Sequence, residues 1–464
     1  MSGITRRQLE GILSRRAAAD PTLMLLRRVA GETAGSLHLV GGVVRDAAAG
    51  VTAHDIDLIC TAGTRRIVNR LRTLWDKRGF RFRKRGVTTW RFVVEGRQVD
   101  IVDASRRGLQ EDLRRRELTI NAIAFDLLSG RLADPLRGLA DLRAGRLRLP
   151  RPGVLLEDPV RSLRAARFAA QFPEFTLAKS LLLEAEATRS GLRRASVERV
   201  LSEMDALLFS PAPQRGLALL DRHGLLSAVL PELEPLSRST AGAGRDDVLS
   251  HTLEAIALTA KRSRLPGNAV LKDRESRRLL RWSLLLHDIS KPETLAHAAD
   301  GRPTFHGHEV LGARRSDTLL RRLRMAKGER RRIRRIVLFH LRPSHLSDSG
   351  APPRGLRRLV RDAGDDLPIL VFHAACDARA SKLSNAATRW RRLREVLAAL
   401  LELHGRRKRR PLPRLVDGRD VIRILGISPG PEVGRVLERV REEQEAGAVG
   451  SRAEALSFIE RTGI

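Results

Sequence analysis

The chain has 464 residues, 42% of them hydrophobic, and 87 Lys and Arg against 54 Asp and Glu, for a formal net charge of +33. That length exceeds one compact core and predicts two to four units, and the apolar content excludes global disorder. No apolar run of about 18 residues occurs and no apolar core follows the basic N-terminus, so neither a transmembrane span nor a secretory leader is expected. Two distant cysteines, Cys60 and Cys376, give no disulfide framework, which suits the cytoplasm. A positive surplus of this size favours polyanions, nucleic acid first among them. A GC-rich genome would explain arginine over lysine, but not the net charge.

In chain order, residues 1–30 read as a short N-terminal helix. From Leu37 to Leu149 short strands mix with helices: LHLVGG, HDIDLIC, WRFVVEG, RQVDIVDA and RLRLP all carry strand patterns. In HDIDLIC, Asp55 and Asp57 are two residues apart and point to one side of a strand, with Ile56 turned into the core. Like charges so close call for a cation, and Mg²⁺ takes a few carboxylates plus phosphate oxygens. Asp100 in QVDIVDAS is the candidate third carboxylate, and three carboxylates holding two metals suit in-line nucleotidyl transfer. Gly41 and Gly42 precede a helix, where backbone N–H groups approach a triphosphate. An isolated D-x-D is more often a solvated strand end; the glycine pair upstream shifts the reading toward a site.

Beyond Leu155 the apolar spacing turns helical. The expected organisation is a head at 31–149, a helical neck at 150–235, a linker at 236–247, a histidine-bearing helical block at 248–403 and a basic helical tail at 404–464. Within it, LRPSHLSDSGAPPRG (341–355) reads as a loop, and HGRRKRRPLPRLVDG (404–418) as a break.

LVGGVVRDAAAG followed by HDIDL, then EDLRRRELTINAIAFD (111–126), DPLRGLADLRAGRLR (134–148) and LEDPVRSLRAARFAAQF (156–172), resembles the ordered motifs of the class II tRNA nucleotidyltransferases and bacterial poly(A) polymerases. The resemblance implies an α+β fold: a polymerase-beta-like head with a mixed sheet, followed by all-helical neck, HD and tail units. It implies that Asp55 and Asp57 bind Mg²⁺, that Asp100 assists, and that Arg115, Arg116 and Asn121 hold the nucleotide beside Gly41, Gly42 and Arg45. Asp158 and Arg161 match the pair that reads the base edge, with Glu157 and Arg164 as supports. The substrates implied are ATP, CTP and the 3′ end and acceptor arm of tRNA. Full CCA addition is the first expectation; poly(A) synthesis or addition of only C or only A is the near alternative. Taken without the other motifs, Asp158 before Pro159 is an ordinary N-cap, Glu157 to Arg161 a surface ion pair, and Arg114 to Arg116 a solvated turn. Two departures stand out. Glu117 replaces the usual Asp, and the neck glycine pair is reduced to Gly138, leaving Leu139 or Arg137 at the other position. The element that switches C to A addition is expected between Asp57 and Trp90.

The histidine block resembles the HD phosphohydrolase superfamily, with Ser290 for the usual glycine after the His-Asp pair. His251, His287, Asp288 and Asp377 match its metal ligands, and His308 and His340 match the extra ligands of two-metal members; His306 and His373 are expected to stay outside. A divalent metal there admits hydrolysis of phosphate esters as an activity of another class, or a merely structural site. The basic runs 321–337 and 404–410 read equally as phosphate-tracking surfaces or solvated helix faces. Aromatic content of 3% with no tyrosine argues that stacking does not carry RNA recognition.

Overall fold

The computed structural model describes residues 3–51, 55–84, 86–239, 247–260, 265–381, 386–409 and 413–462. The chain divides into two compact units, Met1–Val229 and Leu230–Ile464. Both cysteines are free and buried. Among the described residues no helix is long and apolar enough to cross a membrane.

The first unit opens with two helices rather than one. Arg6–Ala19 is closed by a Thr5/Gln8 capping box, and Asp20 starts a new helix at Pro21–Glu32 by accepting from the N–H groups of Thr22 and Leu23. Strands β1 (Ser36–Val40), β2 (Ile56–Ala62), β3 (Phe80–Lys84), β4 (Val87–Val94), β5 (Arg97–Asp103), β6 (Ala124–Asp126) and β7 (Leu132–Ala133) form one sheet in the order β3-β4-β5-β2-β1-β6-β7. Only β2 and β5 pair in parallel, with Asp57 opposite Asp100; the other pairs are antiparallel. A mixed sheet thus places two candidate carboxylates side by side on its central strands. Strand β3, with its Phe-Arg alternation, and the short β6 and β7 carry little hydrophobic pattern, and RLRLP supplies only the two-residue strand Arg146–Leu147, paired with Thr176–Leu177.

Behind the head, helix Val160–Gln171 buries Leu163, Ala166, Phe168 and Ala169 against helices Val197–Leu208 and Pro213–Arg222. Gly216 is needed there, since a Cβ would lie 2.8 Å from the Ala166 carbonyl oxygen. At the neck motif, Gly138 has no room for a side chain, 2.2 Å from the Thr119 carbonyl oxygen, while Arg137 adopts the left-handed φ of 57°. Arg137 is therefore the residue that stands at the other glycine position.

Among its described residues the regular structure of the second unit is helical apart from a two-residue ladder, Ala296–His297 with Pro303–Thr304. The expected loop at 341–355 is mostly helix. Pro343 enters helix Arg342–Asp348 in its first turn, where a missing N–H costs nothing, and Pro353 likewise starts Pro353–Ala363. The break reduces to Ser349–Pro352, with Gly350 and Ala351 at positive φ. The break expected at 404 starts later, because helix Ala386–Arg409 runs through the basic residues. Of the 236–247 linker, residues 240–246 lie outside the described residues; Pro231–Arg238 is a 3₁₀ helix.

Arg137→Gly removes a Cβ from a left-handed position, a conformation that costs a non-glycine residue about 1–2 kcal/mol, partly offset by the greater backbone entropy of glycine in the unfolded chain. The substitution is expected to stabilise the protein by up to about 1 kcal/mol. A rise in the urea midpoint at unchanged m-value checks this; an unchanged or lower midpoint refutes the strain.

Candidate functional site

β1 ends at Val40, and Gly41, with φ of 70° and ψ of −130°, turns the chain into helix Gly42–Ala48. A Cβ at Gly41 would meet Arg116 Nη1 at 3.1 Å and Asp57 Oδ2 at 3.3 Å, so both conformation and space favour glycine. At Gly42 a Cβ would make ordinary contacts. Asp57 points into the sheet face, and its burial raises its pKa despite the opposing charge of Arg116, with Asp100, Glu117 and Asp55 adding to the rise. Asp55 sits one residue before β2, exposed, and its Oδ1 accepts from the Gln98 N–H at 3.4 Å. Residues 52–54 lie outside the described residues.

Asp100 does not stand open. Arg91, its partner across β4 and β5, grips both carboxylate oxygens through Nε at 2.8 Å and Nη2 at 2.7 Å, and Gln98 adds a third bond at 3.1 Å. The Asp100 hydrogen bond and the charges of Asp57 and Asp55 raise the pKa of Arg91. One guanidinium thus feels all three carboxylates, a donor set that fits a divalent cation.

A second layer joins this face to the neck. Arg45 Nη1 donates to Asn121 Oδ1 at 2.8 Å while its guanidinium lies 5.0 Å from the Phe168 ring centroid. Asn121 Nδ2 donates to Glu117 Oε1 at 2.9 Å, Glu117 faces Arg164 at 3.6 Å, and Arg164 and Arg167 share Glu203 at 2.9 and 3.0 Å. Burial would raise the Glu117 pKa, but Arg164 and Arg116 outweigh it and hold it at about 2. The Glu117 carboxylate is thus engaged by Asn121 and Arg164.

Asp158, Arg161, Arg164, Arg115 and Arg116 line a cleft of about 280 Å³ with Glu117. Asp158 is not an N-cap: helix Val160–Gln171 has no side-chain cap, and Asp158 Oδ2 accepts from Arg199 Nη2 at 2.7 Å. Arg161 Nη1 donates to the Val154 carbonyl at 2.9 Å, 3.9 Å from Glu157, which itself pairs with Arg151. Arg114 is exposed, as a solvated turn would be. Arg91, Arg199 and Glu203 were not singled out by the sequence; charge alone does not distinguish them among 87 basic and 54 acidic residues.

In the second unit, His251, His287 and Asp377 form one cluster of potential ligand atoms, and Asp288, His308 and His340 another. His287 Nδ1 meets the Leu284 carbonyl at 2.8 Å, His308 Nδ1 the Phe305 carbonyl at 2.6 Å, and His340 Nδ1 the Val337 carbonyl at 2.7 Å. A carbonyl only accepts, so each Nδ1 carries a proton and each ring turns its Nε2 toward the clusters. The Nε2 atoms of His308 and His340 face each other at 3.3 Å, close enough to share one cation. His287 Nε2 and Asp288 Oδ1 are buried without a hydrogen-bond partner. These donors fit divalent metal ions, with Asp288 between the two clusters. Burial would depress His287, but Asp288 and Asp377 raise it to about 10, while burial and His287 push His340 down to about 3. Lys291 Nζ lies 2.7 Å from Asp288 Oδ2. His306 is exposed, whereas His373 is fully buried against His287 and His340, with ring centroids at 5.3 and 5.9 Å.

The basic runs are partly spent internally. Arg322 pairs with Glu232, Arg330 with Asp317, and Arg332 and Arg335 with buried Asp366. Arg321, Arg324, Lys327, Arg331 and Arg334 remain exposed. In the second run Arg406 pairs with Glu402 and Lys408 with Asp365; residue 410 lies outside the described residues.

Residues 37–148 match the family "Poly A polymerase head domain", residues 174–236 "Probable RNA and SrmB- binding site of polymerase A", and residues 248–416 "HD domain". The chain is 34% identical over 443 residues to the A-adding tRNA nucleotidyltransferase of Deinococcus radiodurans, covering 91% of this chain and 94% of the relative. It is 32% identical to the CC-adding tRNA nucleotidyltransferase of Thermus thermophilus, covering 90% and 92%. A multifunctional CCA protein of Verminephrobacter eiseniae matches at 30%, covering 87% and 97%. The fold is that of the Thermotoga maritima CCA-adding enzyme complexed with tRNA-CCA, at TM-score 0.64 and 18% identity over 98% of each chain. The Bacillus stearothermophilus CCA-adding enzyme in complex with CTP shares it at TM-score 0.62 and 23% identity, over 95% and 96%.

Glu117 supplies a pH test. Its folded pKa of about 2 lies below the 4.5 of an unperturbed glutamate. Its stabilisation, at most about 3 kcal/mol, is complete above pH 4.5 and is lost as pH falls toward 2. Glu117→Gln is expected to lower the melting temperature clearly at pH 7 and much less at pH 3. Equal losses at both pH values would falsify the ionised role.

Proposed function

Because the chain belongs to the tRNA nucleotidyltransferase family, we propose that it extends the 3′ end of tRNA with C and A residues from CTP and ATP, without a nucleic-acid template, releasing pyrophosphate. The observation that carries this reading is the meeting of Asp57 and Asp100 in register with a cleft that Asp158 and Arg161 line. Asp55 and Asp57 would hold Mg²⁺, with Asp100 assisting once Arg91 shares it. Bound Mg²⁺ supplies charge stabilisation at phosphorus and a more acidic attacking hydroxyl. Arg115 and Arg116 meet the triphosphate charge, and Arg45 holds Asn121 in place through its hydrogen bond. Asp158 accepts from an exocyclic amino group and Arg161 donates to a ring acceptor, a pattern that cytosine and adenine both satisfy. An incoming base competes with Arg199 for Asp158. The exposed basic residues of 321–334 suit the tRNA backbone, and the cytoplasm is the compartment where tRNA and nucleotides meet.

A second reading, addition of only the A or only the two C residues, is favoured by the names of two relatives that match nine tenths of the chain. We also propose that the histidine centre binds divalent metal and hydrolyses phosphate esters, His251, His287, Asp288 and Asp377 forming its base and His308 and His340 its second position.

Incubating tRNAs that end before CCA, after C and after CC with CTP or ATP tests the transferase readings. Complete CCA on the shortest substrate supports the first, extension of only one substrate class the second, and a long A tract replaces both with poly(A) synthesis. Asp57→Ala is expected to reduce every extension at least a hundredfold; full activity in this variant sinks the site assignment. For the histidine centre, the wild-type chain is expected to retain bound Mn²⁺ after gel filtration, and His308→Ala to retain less, as read by elemental analysis. No bound metal in the wild type overturns the second proposal.

A further inference from the structure

The cleft beside the candidate carboxylates has two unlike walls. One is polar and charged, formed by Asp158, Arg161 and Arg164. The other comes from the β3–β4–β5 face and is formed by Phe82, Val87, Thr89 and Val102. Phe82 is opposite Thr89 on β4, and Thr89 is opposite Val102 on β5. One pleat along, Phe80, Arg91, Asp100 and Asp57 make the parallel row. Alternation therefore puts Phe82 on the same sheet face as Asp57 and Asp100, three strand spacings of about 4.8 Å from β2.

Aromatic side chains are scarce in this chain, 12 Phe and 4 Trp with no Tyr. Among the described residues Phe82 is the one aromatic that lines the cleft. It is 38% exposed, on an edge strand where a charged residue or proline is a common choice. The ring is not loose: the Arg91 guanidinium, held by its two bonds to Asp100, lies 5.3 Å from the ring centroid. A nucleobase has a polar edge and two apolar π faces. The Asp158–Arg161 wall answers the edge, and nothing in that wall answers a face.

We infer that Phe82 is the stacking platform for the base of the incoming nucleoside triphosphate, a specificity-neutral partner to the edge readers. This rests on the nucleotidyltransferase reading of the cleft. Stacking accepts every base, so Phe82 contributes to affinity for CTP and ATP alike and leaves the choice between bases to Asp158 and Arg161. The Arg91 link also couples the platform to Asp100, so the ring and the carboxylate share one support.

The test measures CTP and ATP binding to the full chain by calorimetry, and KM and kcat for both nucleotides and for tRNA. Phe82→Ala is expected to raise the nucleotide Kd and KM roughly 5- to 100-fold for both, with kcat at saturation and the KM for tRNA within about threefold. Phe82→Trp is expected to restore binding and to give a fluorescence quench on adding nucleotide, over the background of the same protein with Phe82 intact. Phe80→Ala, on the same strand but outside the cleft, is the control and is expected to change nothing. Nucleotide binding within twofold of wild type in Phe82→Ala, full rescue by Phe82→Leu, or an effect on tRNA alone each overturns the inference. Failure of the wild type to extend any tRNA would sink the transferase reading instead, and calorimetry separates that outcome from this one.

Discussion

One largely enclosed carboxylate, Glu117, ties the carboxylate-bearing face of the sheet to the first long helix of the neck. It accepts from Asn121, whose own oxygen is held by Arg45 beside the glycine turn, and it faces Arg164 from helix Val160–Gln171. Arg164 passes the connection on to Glu203, which Arg167 also engages. A buried charge is costly unless paired, and here each member of the chain satisfies the next. Breaking one link leaves another charge stranded, so the arrangement makes the distance between the carboxylate face and the Asp158–Arg161 wall a property of the core.

The candidate carboxylates are balanced by arginine rather than by solvent. Arg116 opposes the burial of Asp57, and Arg91 grips Asp100. A divalent ion entering this face would replace part of an existing attraction instead of filling an empty repulsive hole. The same economy governs the cleft, where Arg199 holds Asp158 and the Val154 carbonyl holds Arg161. Both proposed base-reading side chains are therefore oriented before any base arrives, and reorganisation is limited to exchanging one hydrogen-bond partner for another.

The histidine centre follows a different rule. Three imidazoles donate from Nδ1 to the carbonyl three residues back in their own helix or turn. That local geometry orients Nε2 inward without help from a second carboxylate. The Nε2 atoms of His308 and His340 meet at 3.3 Å as a result.

Local pattern in the sequence was enough for the α+β head, the helical remainder and the ordered acidic, arginine and histidine motifs, because strand alternation, helix spacing and glycine turns act over a few residues. Asp57 stood out by strand alternation beside the glycine turn, whereas Asp158, His287 and Asp377 were singled out by resemblance to ordered family motifs, since Asp158 alone reads as an N-cap. Helix starts at Pro343 and Pro353 were misread as loop because proline in a first turn looks like a breaker when only neighbours are seen. Long-range pairing decided the rest. The parallel β2–β5 register put Asp100 beside Asp57, antiparallel pairing gave Asp100 to Arg91, and packing of two neck helices brought Arg199 to Asp158 across 41 positions. Those partners differ from dozens of other arginines only in where the fold sets them down, and that depends on the burial of the whole chain, which no short stretch of residues encodes.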